Sequence, residues 1–262
     1  METLKLTSKN FKQSSSYWKE YIGDPIEKDF NGNIEIDGNL GYVRFKSLDV
    51  KGYIFADQGT GIESITSIRA GNSIKSGKSI VAGSEIYSGG GIKANEILCA
   101  ILDIHAEGSI AAGEGIKTSW DLISGSDIYS GKYIDIGRDL KSHGKIEAIK
   151  DIKANWSISA GEDIETFGDI EANLGISAGG SIKTNSDIFS GKYIKAGSGI
   201  YADGNIEAGS SIFCKLILKT GGRILAGKKY EKDEDKMITC GKFEGGEIIY
   251  GILNEIELPK VK

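Results

Sequence analysis

From Ile62 to Ile224 every sixth residue is aliphatic: 28 consecutive positions, all Ile except Leu98, Leu122, Leu140 and Leu218. Two residues after each comes Ala, Ser, Thr or Cys at 27 of the 28, with Ile136 the exception. The next position is Gly, Asn or Asp at 20 of the 28. Residues two apart share one side of an extended segment, so an Ile-x-Ala unit sends both side chains inward and its middle residue outward. Lys75, Lys93, Glu147, Glu165 and Lys183 hold such middle positions. Gly, Asn and Asp let the chain turn. Each hexad therefore predicts a short strand followed by a corner. So small a unit cannot bury its own isoleucine, whereas coils stacked on one another can. The pattern predicts an all-β fold, a single-stranded β-helix or β-solenoid.

The outward columns suggest how many hexads make a coil. At a spacing of 18, corner residues align as Leu102, Trp120, Arg138, Trp156 and Leu174, and the next position as Glu85, Asp103, Asp121 and Asp139. A third column holds Asp151, Asp169 and Asp187. At a spacing of 12 the Leu/Trp set splits. One recurrence opposes this: Ser126–Ile134 returns as Ser186–Ile194, an offset of 60 that is five coils of 12 but no whole number of coils of 18. A three-sided coil, one hexad to each side, is the favoured reading. The period leaves handedness open.

Outside the array the pattern weakens. Residues 1–61 are expected to be an N-terminal arm and entry cap, 62–227 the solenoid, and 228–262 a charged loop and C-terminal strand cap. Within 1–30, the run Tyr17-Trp18-Lys19-Glu20-Tyr21-Ile22 reads as a short helix or an arm. Alternation at Ile34/Ile36, Val43/Phe45 and Ile54/Ala56 reads as strands. The six-residue beat sounds at Ile34–Leu40 and Leu48–Ile54, and eight-residue steps break its phase.

Composition narrows the picture further. The 37 glycines keep register with the isoleucines, and both prolines, Pro25 and Pro259, lie outside the array. That suits a sheet that needs all its ladder N–H groups. A net charge of −5 argues against a general nucleic-acid binder, which needs a basic face. The N-terminus has no apolar targeting segment and no run approaches membrane-spanning length, so a cytoplasmic protein is expected. Cys99, Cys214 and Cys240 are too widely spaced for a local metal site, and no cofactor or metal is expected. Cys214 sits in an inward slot and reads as core, Cys99 points outward, and Cys240 lies in the cap.

Over residues 62–227 the period and the aliphatic column resemble the hexapeptide-repeat β-helices and, more loosely, the triangular helices of bactofilins. The Gly-x-Ile-x-Ala-Gly runs are also similar to those of bacterial and phage repeat proteins. One departure is visible: left-handed hexapeptide helices usually place the small inward residue before the aliphatic one, and here it follows, as in Ile158-Ser159-Ala160-Gly161. The resemblance implies acyltransferase chemistry only where a His base and a loop between coils are present. Here His105 sits at an outward strand position and His143 at a corner of another column, and nothing interrupts 62–224. Solvated histidines are the plainer reading.

Two features remain as candidate sites. Leu102, Trp120, Arg138, Trp156 and Leu174 form an interaction edge, with residue types favoured at binding hot spots. Cover by residues 1–30, with Trp18 and Tyr21, is the competing reading. Glu85, Asp103, Asp121 and Asp139 form an acidic column. An Asp before the inward Ile ordinarily bonds its own turn, but stacked carboxylates also attract cations or a basic partner, so a weak metal site and a nucleic-acid-mimicking edge are the alternatives. The leading expectation is a non-enzymatic rigid scaffold that acts through a protein partner or as a homo-oligomer, without nucleic acid or membrane. A mobile-element or phage inhibitor of a nucleic-acid enzyme, using the acidic and Trp-bearing edge, comes second. A hexapeptide-type acyltransferase comes last.

Overall fold

The structure is a computed structural model that describes residues 1–24, 26, 30–227 and 236–257. Pro25, Pro259 and most of the charged segment after Gly227 lie outside the described residues. The chain divides into two compact units, Met1–Gly131 and Lys132–Lys262. Each is a three-sided, single-stranded β-solenoid, and the described residues contain no α-helix.

In the first unit the chain visits three parallel sheets in rotation. Ile74–Ser76 lies on the first sheet, Ile80–Ala82 on the second and Ile86–Ser88 on the third, and Ile92–Ala94 returns to the first. The register pairs Ile74 with Ile92, Ile80 with Leu98 and Ile86 with Ile104, each pair separated by three hexads. The second unit keeps the same period: Ile158 pairs with Ile176, Ile164 with Ile182 and Ile170 with Ile188. The three-hexad coil is therefore the observed one. The recurrence of Ser126–Ile134 at Ser186–Ile194 does not mark the coil, since its offset of 60 is no whole number of 18-residue coils.

The isoleucine column is the core. Every one of these aliphatic residues from Ile62 to Ile224 is at most 1% exposed, enclosed by the coils on either side. Full burial of such a side chain contributes roughly 1.5–3 kcal/mol.

The small slot follows a rule visible only in three dimensions. Where it is Ala, the corner amide two residues on bonds directly to the carbonyl one coil earlier. Trp156 N–H to Arg138 C=O (3.1 Å, after Ala154) and Leu174 N–H to Trp156 C=O (2.9 Å, after Ala172) are examples. Where it is Thr, the hydroxyl often stands between the same two groups. Thr166 Oγ1 accepts from Gly168 N–H at 3.2 Å and donates to Lys150 C=O. Thr118 links Trp120 and Leu102 in this way, and Thr184 links Ser186 and Gly168. Buried hydroxyls are tolerated because both ends are satisfied.

The entry region departs from expectation in two places. Trp18–Tyr21 is a strand, neither helix nor loose arm. It pairs antiparallel with Phe11–Gln13 and parallel with Gly41–Phe45. Burial of Phe11 and Phe45 against the Tyr21 ring, with centroids 5.2–5.8 Å apart, favours this strand over any helix. The early beat at Leu40 is also not a strand position. Leu40 precedes the strand Gly41–Phe45, whose inward residues are Val43 and Phe45. Coils here are longer, pairing Ile34 with Ile54 and Leu48 with Ile68. The added residues make wide corners with positive φ at Asn39, Gly41 and Gly59.

Candidate functional site

Within each unit the edge residues lie where the chain leaves a strand of the second sheet and enters one of the third, as from Ile116–Thr118 to Leu122–Ser124 in the first unit and from Ile152–Ala154 to Ile158–Ala160 in the second. Inward positions are filled by aliphatics, so any large residue at a corner must project outward.

In the first unit this corner carries Leu102 and Trp120. Leu102 N–H donates to Ser84 C=O at 2.9 Å, and its own carbonyl receives the Thr118 hydroxyl that holds Trp120. Trp120 is 45% exposed and Leu102 is half-buried. Ile101, one residue earlier in a turn position, is 57% exposed and adds apolar surface. In the second unit the corner carries Arg138, Trp156 and Leu174. The Arg138 guanidinium lies 4.2 Å from the Trp156 ring centroid, a cation–π contact. Trp156 is 43% exposed.

Sequence reading missed one member. Tyr193 lies against the backbone of Gly175 on this same corner, where a Cβ would come within 2.4 Å of the ring. It remains 42% exposed, so the second unit's strip runs Arg138, Trp156, Leu174, Tyr193. The signal was available: Tyr193 stands one coil beyond Gly175, and only glycine leaves room for a ring lying flat.

The described part of residues 1–30 pairs with the entry strands, and Trp18 packs under Arg44, whose guanidinium carbon is 3.6 Å from the ring centroid.

The acidic column has a structural occupation. Asp103 Oδ1 accepts the N–H of Asp121 at 3.0 Å, and Asp139 Oδ1 that of Ser157 at 3.1 Å. Asp151, Asp163, Asp169 and Asp187 do the same for the matching residue of the following coil. The expected bond within a residue's own turn is thus a bond to the following coil, at the one corner amide that the sheet ladder leaves over. Glu85 pairs with Arg69, and Lys141 Nζ lies 3.5 Å from Asp139.

His105 Nε2 is 3.2 Å from Glu107, and its ring packs edge-on against Tyr87. His143 is exposed at a corner. Burial pushes the Cys214 thiol up to about 12 and raises those of Cys240 and Cys99 as well, so all three are poor nucleophiles at neutral pH. Among the described residues no group of three His, Cys, Asp or Glu side chains could hold a metal ion, and no helix is long and apolar enough to cross a membrane. A scan against protein-family models, a search of curated proteins and a search of solved structures each return no match.

Proposed function

We propose that the protein is a non-enzymatic cytoplasmic scaffold that engages a protein partner, or a second copy, through the Trp-bearing corners of its two units. The observation that supports this most is the exposure of Trp120 and Trp156 in a fold that buries its strand aliphatics almost completely. Trp and Arg, at a site already held by main-chain bonds, are the residue types that dominate binding energy. Their backbone is fixed before docking, so little ordering entropy is lost on association. The acidic column bonds the array to itself, which leaves the inhibitor reading second.

The test is the double variant Trp120→Ala, Trp156→Ala beside wild type. The expected result is an unchanged circular-dichroism spectrum with loss of a specific partner from native lysate, or loss of self-association by sedimentation velocity. A variant that assembles like wild type and captures the same proteins would overturn the reading.

A further inference from the structure

The last described coil ends on a group found nowhere else in the array. Its strands are Lys242–Glu244, Glu247–Tyr250 and Ile252–Glu255, one per sheet. In the third sheet Ile238 pairs with Leu253 and Cys240 with Glu255. Ile238 and Cys240 are fully buried, so Leu253 takes the inward aliphatic place and Glu255 the inward small place. From Ile62 to Ile224 that small place holds Ala, Ser, Thr or Cys at every hexad but one. Here it holds a carboxylate.

The carboxylate also takes a bond that belongs to a further coil. Along the array the N–H of an inward aliphatic donates to a carbonyl of the following coil, on the residue just before the next aliphatic in its column. Ile182 donates to Gly199, Ile188 to Asn205 and Ile194 to Ser211, all at 2.8–3.0 Å. Phe243, paired with Leu218, holds the corresponding place on the first sheet. Its N–H instead donates to Glu255 Oε1 at 2.8 Å. One side chain therefore fills the inward slot with charge and occupies an edge donor that another coil would use.

This end otherwise has the properties of a template for stacking. Leu253 is 39% exposed, against at most 1% for the array aliphatics, and Phe243 and Ile248, in the inward places of the other two sheets, are only partly buried. Open strand edges with apolar side chains invite pairing with another chain, and an inward-pointing charge is a known way to prevent it. We propose that Glu255 is an end gate: it caps the exit coil and keeps a second copy of the chain from stacking there. A neighbour seated on this end would bury an ionised carboxylate, which is strongly unfavourable without a cationic partner.

The full-length chain tests this with Glu255→Ala, which restores the small residue of the repeat, and Glu255→Lys, which keeps an inward charge but loses the Phe243 bond. Weight-average mass is measured by sedimentation over a wide concentration range, with hydrogen exchange at residues 242–255. Glu255→Ala is expected to gain mass with concentration and slow its exchange in that segment, while Glu255→Lys keeps the wild-type mass. The gate is overturned if Glu255→Ala keeps the wild-type mass, or if Glu255→Lys associates equally. Should Glu255→Ala lose the last coil, Glu255→Ser, which restores another native slot residue, takes its place under the same criteria.

Discussion

At the residue scale, the corners are where chemistry is specific. Thr166 links Gly168 N–H to Lys150 C=O, a pair that closes directly wherever the slot is Ala. Thr166→Ala is therefore expected to change stability by no more than about 0.5 kcal/mol, because the two groups can find each other. Thr166→Val places a methyl between them and is expected to cost about 1–3 kcal/mol. Urea denaturation of both variants checks the pair, and equal losses would contradict the bridge. Asp163 accepts the Ser181 N–H at 2.7 Å, and Asn205 does the same for Arg223 at 2.9 Å. Asp163→Asn should accordingly be milder than Asp163→Ala, whose expected cost is about 1–3 kcal/mol for the abandoned donor. Asp103 and Asp139 of the acidic column make the same bond, which gives those positions a structural reason to be Asp.

At the element scale, each strand of the array is short and depends on its neighbours. Ile158→Ala should cost about 2–5 kcal/mol by leaving a cavity between coils, read from the denaturation midpoint. The array strand Ile212–Cys214 adds a pH dependence. Burial holds the folded Cys214 thiol at about 12, above its ordinary 9.0, and nearby Cys240 adds to the shift. The folded state keeps this proton where the unfolded chain releases it. The stabilising contribution is thus complete below pH 9 and falls as pH rises from 9 toward 12. Cys214→Ala should flatten that part of the stability–pH curve relative to wild type. Identical slopes for the two proteins would show that the thiol does not contribute.

At the scale of the whole molecule, stability in a repeat array approximates a sum over coils and their interfaces. Within the second unit, removing residues 158–175 deletes one full coil and returns every corner to its own column. Removing 158–169 keeps the isoleucine beat but moves the Leu, Gly and Asp corners that follow, such as Leu174, Gly175 and Asp187, onto foreign sides. The first deletion is expected to fold with a modest loss of midpoint, and the second to lose more, though it is shorter. Thermal and urea melts of the two deletions decide this. The opposite ranking would mean that hexads alone, without the corner columns, set stability.

Much of this was legible in one dimension. A strict period of six with a two-residue inward pair admits few solutions, so the fold class, the strands of the array and the alignment of Leu102, Trp120, Arg138, Trp156 and Leu174 followed from spacing alone. Local pattern could not say what happens where the period breaks. The strand Trp18–Tyr21 exists because Gly41–Phe45 offers an edge and an aromatic cluster, and neither is local to it. The seat of Tyr193 on Gly175 and the reach of Asp103 to Asp121 likewise depend on residues a full coil away. The role of Glu255 lies further from the sequence still, since its meaning comes from the register with Cys240 and the amide of Phe243. Periodicity determines which way each side chain points, because that depends on backbone geometry over a few residues. Only the stacked structure decides what each one meets, because hydrogen bonds and burial are made between coils.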